Sequence, residues 1–508
     1  MAPPAMATPR VKPPTTARAP RRSLGRRCPL YRPRNPQASD LWRLLDRHFP
    51  TFQQVYEDRY QAKYGFWRPI VERSVMAFLA CGDLHYGFAR VRCGDCHHEM
   101  FVAFSCKQRC SCPSCHQKRA LLTARHVAEE VCFAVPHRQV VLTIPKRLRL
   151  HTRFDRGLLG KLASCAWKCI QAEIRRLLDR EDVQPGMVAA IQTHGELLHW
   201  HPHIHTLVTC GGFTPQGEFL EVPELDMERL HDAWREAVLA LYLAKGKIEP
   251  EAVENMRSWP HSGFHVDQSV YLPAGDRAGV ERLTQYITRC PFSLSRVVKV
   301  TKSGEVVYRA EKATCRAFPD PQKSLLERGA KRNYQILAPL DFVAEFTQHI
   351  PPKGAHLVRY YGWYSNKSRG LRKKAAEVAS LESGAVGEGI SSAARRPSPA
   401  WAMLIKRVYE VDPLACPKCG GTMKVVAFIE PPQQEVIEKI LRHCGLWRAS
   451  SPRPPPEVDL VYVLDDEGDG WWDLAFAPDP DWEGEPPSAD VPWEVTSDAS
   501  GDSFDASF

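Results

Sequence analysis

Three groups of residues in this chain have types and spacings suited to chemistry. The first is Leu198-His199-Trp200-His201-Pro202-His203-Ile204-His205-Thr206-Leu207-Val208. Successive side chains of a strand alternate faces, so His203 and His205 project from one side. Two imidazoles so placed can bind one divalent cation and leave positions open for substrate oxygens. His201 shares their parity, but Pro202 interrupts the regular strand and ranks it below the pair. A third protein ligand is needed. Gln192, directly after the apolar run Val188-Ala189-Ala190-Ile191, and Glu196 are the nearest acceptors, and spacing forces neither. The HExxH arrangement of hydrolytic zinc enzymes is absent.

The second group is thiols. Cys93-Gly-Asp-Cys96 and Cys112-Pro-Ser-Cys115 are separated by 15 residues. That spacing predicts a zinc ribbon in which both pairs converge on one tetrahedral Zn²⁺, with His98 to Phe104 as a strand between the knuckles. Cys81, Cys106 and Cys110 are further thiols that could substitute or support. Such a site is closed, so it contributes folding energy and positions Lys107, Arg109, Lys118, Arg119 and Arg125 for binding. It is not the reaction centre. Cys416-Pro-Lys-Cys419 looks like half a knuckle, with His443 or Cys444 as candidate partners. Its spacing fits no standard ribbon, and a structural turn explains it equally well.

The third group lies on Asp276 to Pro291, where Asp276 is an N-cap, Val280, Leu283 and Ile287 form a buried stripe, and Pro291 ends the helix. Tyr286 sits beside that stripe, with Arg282 four residues before it and Arg289 three after. Alone, such a tyrosine is more often core packing. Two guanidiniums on neighbouring turns suit a phosphate and favour the phenolate.

The elements that must position these groups divide the chain. Residues 1–39 hold nine Arg or Lys, nine Pro and no acidic residue, and read as a disordered basic arm. Residues 41–120 read as a helical lead-in, through Leu41, Leu44, Leu45, Phe49, Phe52 and Tyr56, followed by the zinc module. A mixed α/β region at about 125–370 carries the histidine and tyrosine groups. Residues 371–400 read as a linker, 401–447 as a small CxxC module and 448–508 as an acidic tail. From residue 451 onward sixteen Asp or Glu face the one Arg453, so the other 450 residues carry +24 of a chain whose net charge is +9. A body that basic favours a polyanion, most simply nucleic acid. The tail reads as a solubiliser or as a DNA mimic covering that body. No apolar run is long enough for a membrane span and no secretory signal is evident, which implies a cytoplasmic protein. Arg359, Lys367, Arg369 and Arg372, interleaved with Tyr360, Tyr361, Trp363 and Tyr364, suit single-stranded DNA, with rings stacking on bases and cations following phosphates.

The module with CPSC at 112–115, LTIPKRLR at 142–149, HPHIH at 201–205, AGDRAGVERLTQYITRCPFSLSR at 274–296, HLVRYYGWYSNKSRG at 356–370 and DPLACPKCGG at 412–421 occur in that order. In this ordered set the chain resembles rolling-circle transposases of the HUH nuclease superfamily, of the insertion-sequence ninety-one type. The resemblance covers about 81–447. It implies an α+β fold: a central HUH domain, an antiparallel sheet flanked by helices, preceded by a small zinc-ribbon-like module and bounded by disordered termini. It further implies that His203 and His205 hold Mg²⁺ or Mn²⁺ against the scissile phosphate. Tyr286 matches the nucleophile that attacks single-stranded DNA to give a 5′-phosphotyrosine intermediate and a free 3′-OH. Zn²⁺ belongs to the cysteine module. The partners are then single-stranded element ends and target DNA, with the protein at the nucleoid and self-association into a homo-oligomer left open. Some members carry a second tyrosine four residues earlier, where this chain has Arg282, so it resembles a single-tyrosine branch, with Tyr360 or Tyr361 as fallback nucleophiles. The alternatives are an HUH replication initiator or relaxase and, from another class, a zinc-containing DNA-binding protein without catalysis.

Overall fold

The computed structural model describes residues 35–222, 224–259, 263–311, 316–319, 328–382 and 414–447. The expected basic arm up to residue 34, residues 383–400 of the expected linker and the acidic tail lie outside these residues. None of the described helices is long and apolar enough to cross a membrane.

The histidine strand, Trp200–Thr209, is the middle of five antiparallel strands ordered Val358–Gly362, Gly186–His194, Trp200–Thr209, His137–Thr143 and His265–Leu272. With a neighbour on each side and helices over both faces, every residue of it is buried. Alternation sorts its side chains. Ile204 and Val208 enter a core with Leu162 and Ile170 of the Leu158–Leu178 helix and Trp234 and Val238 of the Met227–Ala244 helix. Leu207 faces the opposite way, toward Val280, Leu283 and Ile287 of the Arg277–Ile287 helix. The fold is therefore α+β, an antiparallel sheet flanked by helices, as expected.

The N-terminal lead-in forms the predicted helix, Asp40–Gln54, with the Ser39 hydroxyl accepting from the Trp42 amide at 3.2 Å. Its apolar stripe does not close a core by itself. Leu41, Leu45, Phe49 and Phe52 pack with Phe292, Tyr308, Phe342 and Phe346, all from beyond the histidine strand. Tyr64 Oη donates to Glu345 at 2.8 Å and Tyr60 Oη to Asp341 at 2.8 Å, fastening the lead-in to the Pro339–Thr347 helix.

Two boundaries differ from those expected. Residues 371–382 belong to the Asn366–Glu382 helix rather than a linker, because Leu371 to Glu382 is mostly Ala, Lys, Leu and Glu, residues that favour helix. The CxxC segment at 414–447 is not a separate module. Its strand Met423–Ile429 pairs antiparallel with Phe88–Cys93, which pairs in turn with Glu99–Ala103. Ile437 and Leu441 of the Gln434–His443 helix then cover Phe88 and Ile429. The zinc-ribbon-like hairpin is thus completed by a strand from near the other end of the chain.

Trp234 is fully buried, and its Nε1 donates to the Thr143 carbonyl at 2.7 Å, tying the Met227–Ala244 helix to the end of the strand beside the histidines. Trp234→Ala is expected to lower unfolding free energy by about 3–5 kcal/mol, and Trp234→Phe by about 1–3 kcal/mol through the carbonyl left without a donor. Urea unfolding of both variants measures the two terms; a Trp234→Phe variant as stable as wild type would show that the hydrogen bond contributes nothing beyond packing.

Candidate active site and zinc centre

Pairing on the sheet decides which side chains meet the histidines. Gln192 lies directly opposite His203 across the Gly186–His194 strand, and Ala190 opposite His205. Gln192 and His194 therefore share the face of His203 and His205. The two imidazole centroids are 5.2 Å apart. His203 Nδ1 is 2.8 Å from the His201 carbonyl oxygen, so Nδ1 carries the hydrogen and Nε2 keeps its lone pair. The Gln139 side-chain amide lies 2.6 Å from His205 Nδ1. Gln192 Nε2 donates to the Ile287 carbonyl at 2.9 Å and to that of Tyr286 at 3.3 Å, while its Oε1 is buried without a hydrogen-bond partner.

Those two carbonyls belong to the end of the tyrosine helix, so Gln192 holds both the sheet and the helix that carries Tyr286. Asp276 caps that helix as expected, accepting from the Gly279 amide at 2.8 Å. Tyr286 is half-buried and meets His205 edge to face, with ring centroids 5.5 Å apart. The Arg289 guanidinium stands 4.8 Å from the Tyr286 ring centroid and pairs with Glu196 at 3.3 Å. Glu196 is also paired with Arg296 at 3.2 Å, so it serves these two arginines rather than a metal.

Burial controls the charge state of the cluster. Desolvation, with Arg289 adding repulsion, holds the His205 pKa down to about 3. His203 and His194 are likewise held well below the usual imidazole range by burial first and neighbouring positive groups second. Neutral imidazoles are what a metal requires. Among the described residues no third His, Cys, Asp or Glu joins His203 and His205 in one ligand-sized group. Gln192 Oε1, a hard oxygen without a partner, suits the remaining place.

The thiols do not gather as their spacing predicts. Cys112 and Cys115 meet Cys81 and Cys106, whereas Cys93 and Cys96 meet Cys416 and Cys419. The reason lies in the backbone: Cys112 and Cys115 begin the Pro113–His126 helix, which packs on the tyrosine helix, while Cys93 and Cys96 end a hairpin that extends to the Met423–Ile429 strand. In the first cluster Cys106 Sγ is 3.6 Å and Cys81 Sγ 3.8 Å from Cys115 Sγ, and Cys112 Sγ is 3.9 Å from Cys81 Sγ. Four sulfurs at about 2.3 Å from a tetrahedral Zn²⁺ stand about 3.8 Å apart, so the cluster fits the ion. His116, next to Cys115, donates from Nε2 to the Thr288 carbonyl at 2.9 Å and accepts at Nδ1 from the Cys110 amide at 2.9 Å. The zinc centre is thereby fastened two residues beyond Tyr286.

A family described as "Transposase zinc-binding domain" matches residues 51–144, and one described as "Putative transposase" matches 186–371. The transposase for insertion sequence element IS801 of Pseudomonas savastanoi pv. phaseolicola is 26% identical over 72% of this chain and 85% of its own length. The putative transposase y4qJ of Sinorhizobium fredii is 24% identical over 62% of this chain and 79% of its own. No solved structure matches. The chain belongs to the insertion-sequence transposases of the ninety-one type, with their N-terminal zinc domain.

In this transposase the residues expected to follow DNA are not all placed to do so. Arg282 and Lys367 are exposed. Arg359 is buried; its Nη1 donates to the Gly160 carbonyl and to Tyr361 Oη, each at 3.0 Å, so it is a structural residue. Arg369 lies over the Tyr360 ring at 5.2 Å and donates to Asn366 at 2.6 Å. Tyr360 is buried in the sheet, and Tyr361 stacks on Trp167 at 5.6 Å on the other face, which leaves neither poised as a nucleophile. A cleft partly open to solvent includes Arg109, Arg119, Arg156, Arg289, Gln192 and His194 among its lining residues. It runs between the zinc helix and the end of the tyrosine helix. Gln139, His116 and Cys81 with Cys106 are site residues whose roles no local spacing reveals; only strand register or helix packing brings them in.

Burial also sets a pH dependence. His137 is held down to about 4 and His349 to about 3, in both cases by desolvation first. The unfolded chain protonates near 6.5, before the fold does, so this stability is fully present above pH 6.5 and is lost progressively as pH falls toward 3–4. The urea midpoint is expected to drop steadily from pH 7 to 4.5, and His349→Gln to flatten that slope. An unchanged slope in the variant would mean that His349 is charged in the folded protein.

Proposed function

We propose that this transposase nicks and rejoins single-stranded DNA through a covalent 5′-phosphotyrosine intermediate at Tyr286, as rolling-circle transposition requires. The observation that carries the reading is the edge-to-face contact of Tyr286 with His205, 5.5 Å between centroids, on the sheet face shared by His203 and the partnerless Gln192 Oε1. His203 and His205 through Nε2, with Gln192 Oε1, would hold Mg²⁺ or Mn²⁺, a binding mode in which the Gln139 amide turns its oxygen to accept from His205 Nδ1–H. A cation held by these residues would supply positive charge to a phosphoryl oxygen of the bound strand.

The protein's own groups do the rest. Tyr286 Oη bonds to phosphorus as the P–O3′ bond breaks; the phenolic proton is released and the 3′ oxygen leaves as a hydroxyl. One ester bond replaces another, so a 3′-OH attacking the phosphotyrosine rejoins the strand without nucleotide hydrolysis. Arg289, over the ring and paired with Glu196, stabilises negative charge on the phenolate and the adjoining phosphate. Gln192, through the Tyr286 and Ile287 carbonyls, fixes the tyrosine helix against the metal-binding face. Arg109, Arg119 and Arg156 in the cleft suit the phosphates of the incoming strand, leading from the zinc helix toward Tyr286. Arg282 stands where a second tyrosine would lie, so one covalent link forms per protomer.

Labelled single-stranded DNA from the ends of the element, incubated with the protein and Mn²⁺ and resolved on a denaturing gel, tests this directly. Wild type is expected to give a covalent adduct. Tyr286→Phe and the His203→Ala/His205→Ala double variant are expected to lose it at least 100-fold. Gln192→Ala is expected to lower it by about 10–100-fold, as removal of a metal-orienting group does. Adduct persisting in Tyr286→Phe would remove the nucleophile assignment. Tight DNA binding by folded wild type with no adduct would instead favour a non-catalytic DNA-binding role.

A further inference from the structure

We infer that Cys93, Cys96, Cys416 and Cys419 form a second, structural Zn²⁺ site that clasps residues 414–447 to the N-terminal module. The four sulfurs lie within 4.8 Å of one another. Cys93 Sγ is 3.6 Å from Cys419 Sγ, and Cys96 Sγ is 3.5 Å from Cys416 Sγ, across 326 and 320 residues of chain. Disulfide sulfurs stand about 2.05 Å apart, whereas sulfurs on a tetrahedral Zn²⁺ stand about 3.8 Å apart. The separations match the second geometry.

Both CxxC turns are shaped as metal knuckles. Cys416-Pro-Lys-Cys419-Gly-Gly folds back so that the Cys416 amide donates to the Gly421 carbonyl at 2.7 Å, the Gly420 amide to the Cys416 carbonyl at 2.9 Å, and the Gly421 amide to Cys419 Sγ at 3.4 Å. Gly420 sits at φ +79°, and a side chain on Gly421 would run into the Asp95 carboxylate of the opposing knuckle. Gly94 donates to the Thr422 carbonyl at 3.3 Å, holding the two turns face to face at the end of the Cys93–Met423 register. Neither His443 nor Cys444 joins the set.

Packing alone gives this segment little reason to stay. The fully developed core between the Gln434–His443 helix and the sheet is Phe88, Ile429, Ile437 and Leu441, while Val425, Val426 and Phe428 on the same strand are exposed. A core so small is ordinarily stabilised by metal or disulfide. The zinc-domain family match, 51–144, stops well before Cys416, so half of this site lies outside it. The DNA-docking module is then a composite of two distant parts of the chain, each supplying one knuckle. This inference is independent of the chemistry at Tyr286.

The test is zinc content of the full-length protein, purified under reducing conditions and measured by mass spectrometry of the metal. Wild type is expected to hold two Zn²⁺ per chain, and X-ray absorption to show four sulfurs and no nitrogen or oxygen around them. Cys416→Ser/Cys419→Ser and Cys93→Ser/Cys96→Ser are each expected to hold one. One Zn²⁺ in the wild type, or no loss in both double variants, would overturn the proposal. So would a zinc-free second cluster oxidised to Cys93–Cys419 and Cys96–Cys416 disulfides. The wild-type stoichiometry and sulfur count decide the matter even if a variant fails to fold.

Discussion

The catalytic region depends on one constraint: the strand Trp200–Thr209 has a hydrogen-bonded neighbour on each side, so its side chains can only alternate between two packed faces. Ile204 and Val208 take the apolar face, and this commits His203 and His205 to the other. A slip of one residue would bury both imidazoles among Leu162, Ile170 and Trp234 and turn Ile204 toward the tyrosine helix. The apolar residues between the histidines thus hold the site in register.

The same burial that fixes geometry fixes charge. The imidazoles are desolvated, so protonation of His203, His205 or His194 would place a cation in a low-dielectric setting already containing Arg289. Neutral rings result, which keep a lone pair on each imidazole. Glu196 balances Arg289 and Arg296 beside this cluster.

The first cysteine cluster and the tyrosine helix are mechanically joined. Cys115 opens the helix that packs on the tyrosine helix, and the adjacent His116 bonds the carbonyl of Thr288. The arginine-lined cleft lies along that seam.

The amino-acid order alone determined whatever rests on short-range periodicity. The parity of His203 and His205 follows from a two-residue repeat, the cap at Asp276 and the stripe of Val280, Leu283 and Ile287 from a helical one, and the presence of thiolate knuckles from CxxC pairs. The tertiary structure decided everything that depends on which distant segments meet. Spacing allowed Cys93 and Cys96 to pair with Cys112 and Cys115; a strand paired from residue 423 onward gave them Cys416 and Cys419 instead. Gln192 was an acceptor among others until register set it opposite His203. Arg359 reads as a DNA contact by its charge and its aromatic neighbours, yet the sheet edge buries it against Gly160. Local order states what a side chain can do, and long-range packing, where loop-closure entropy is overcome by burial and pairing, selects the partner with which it does it.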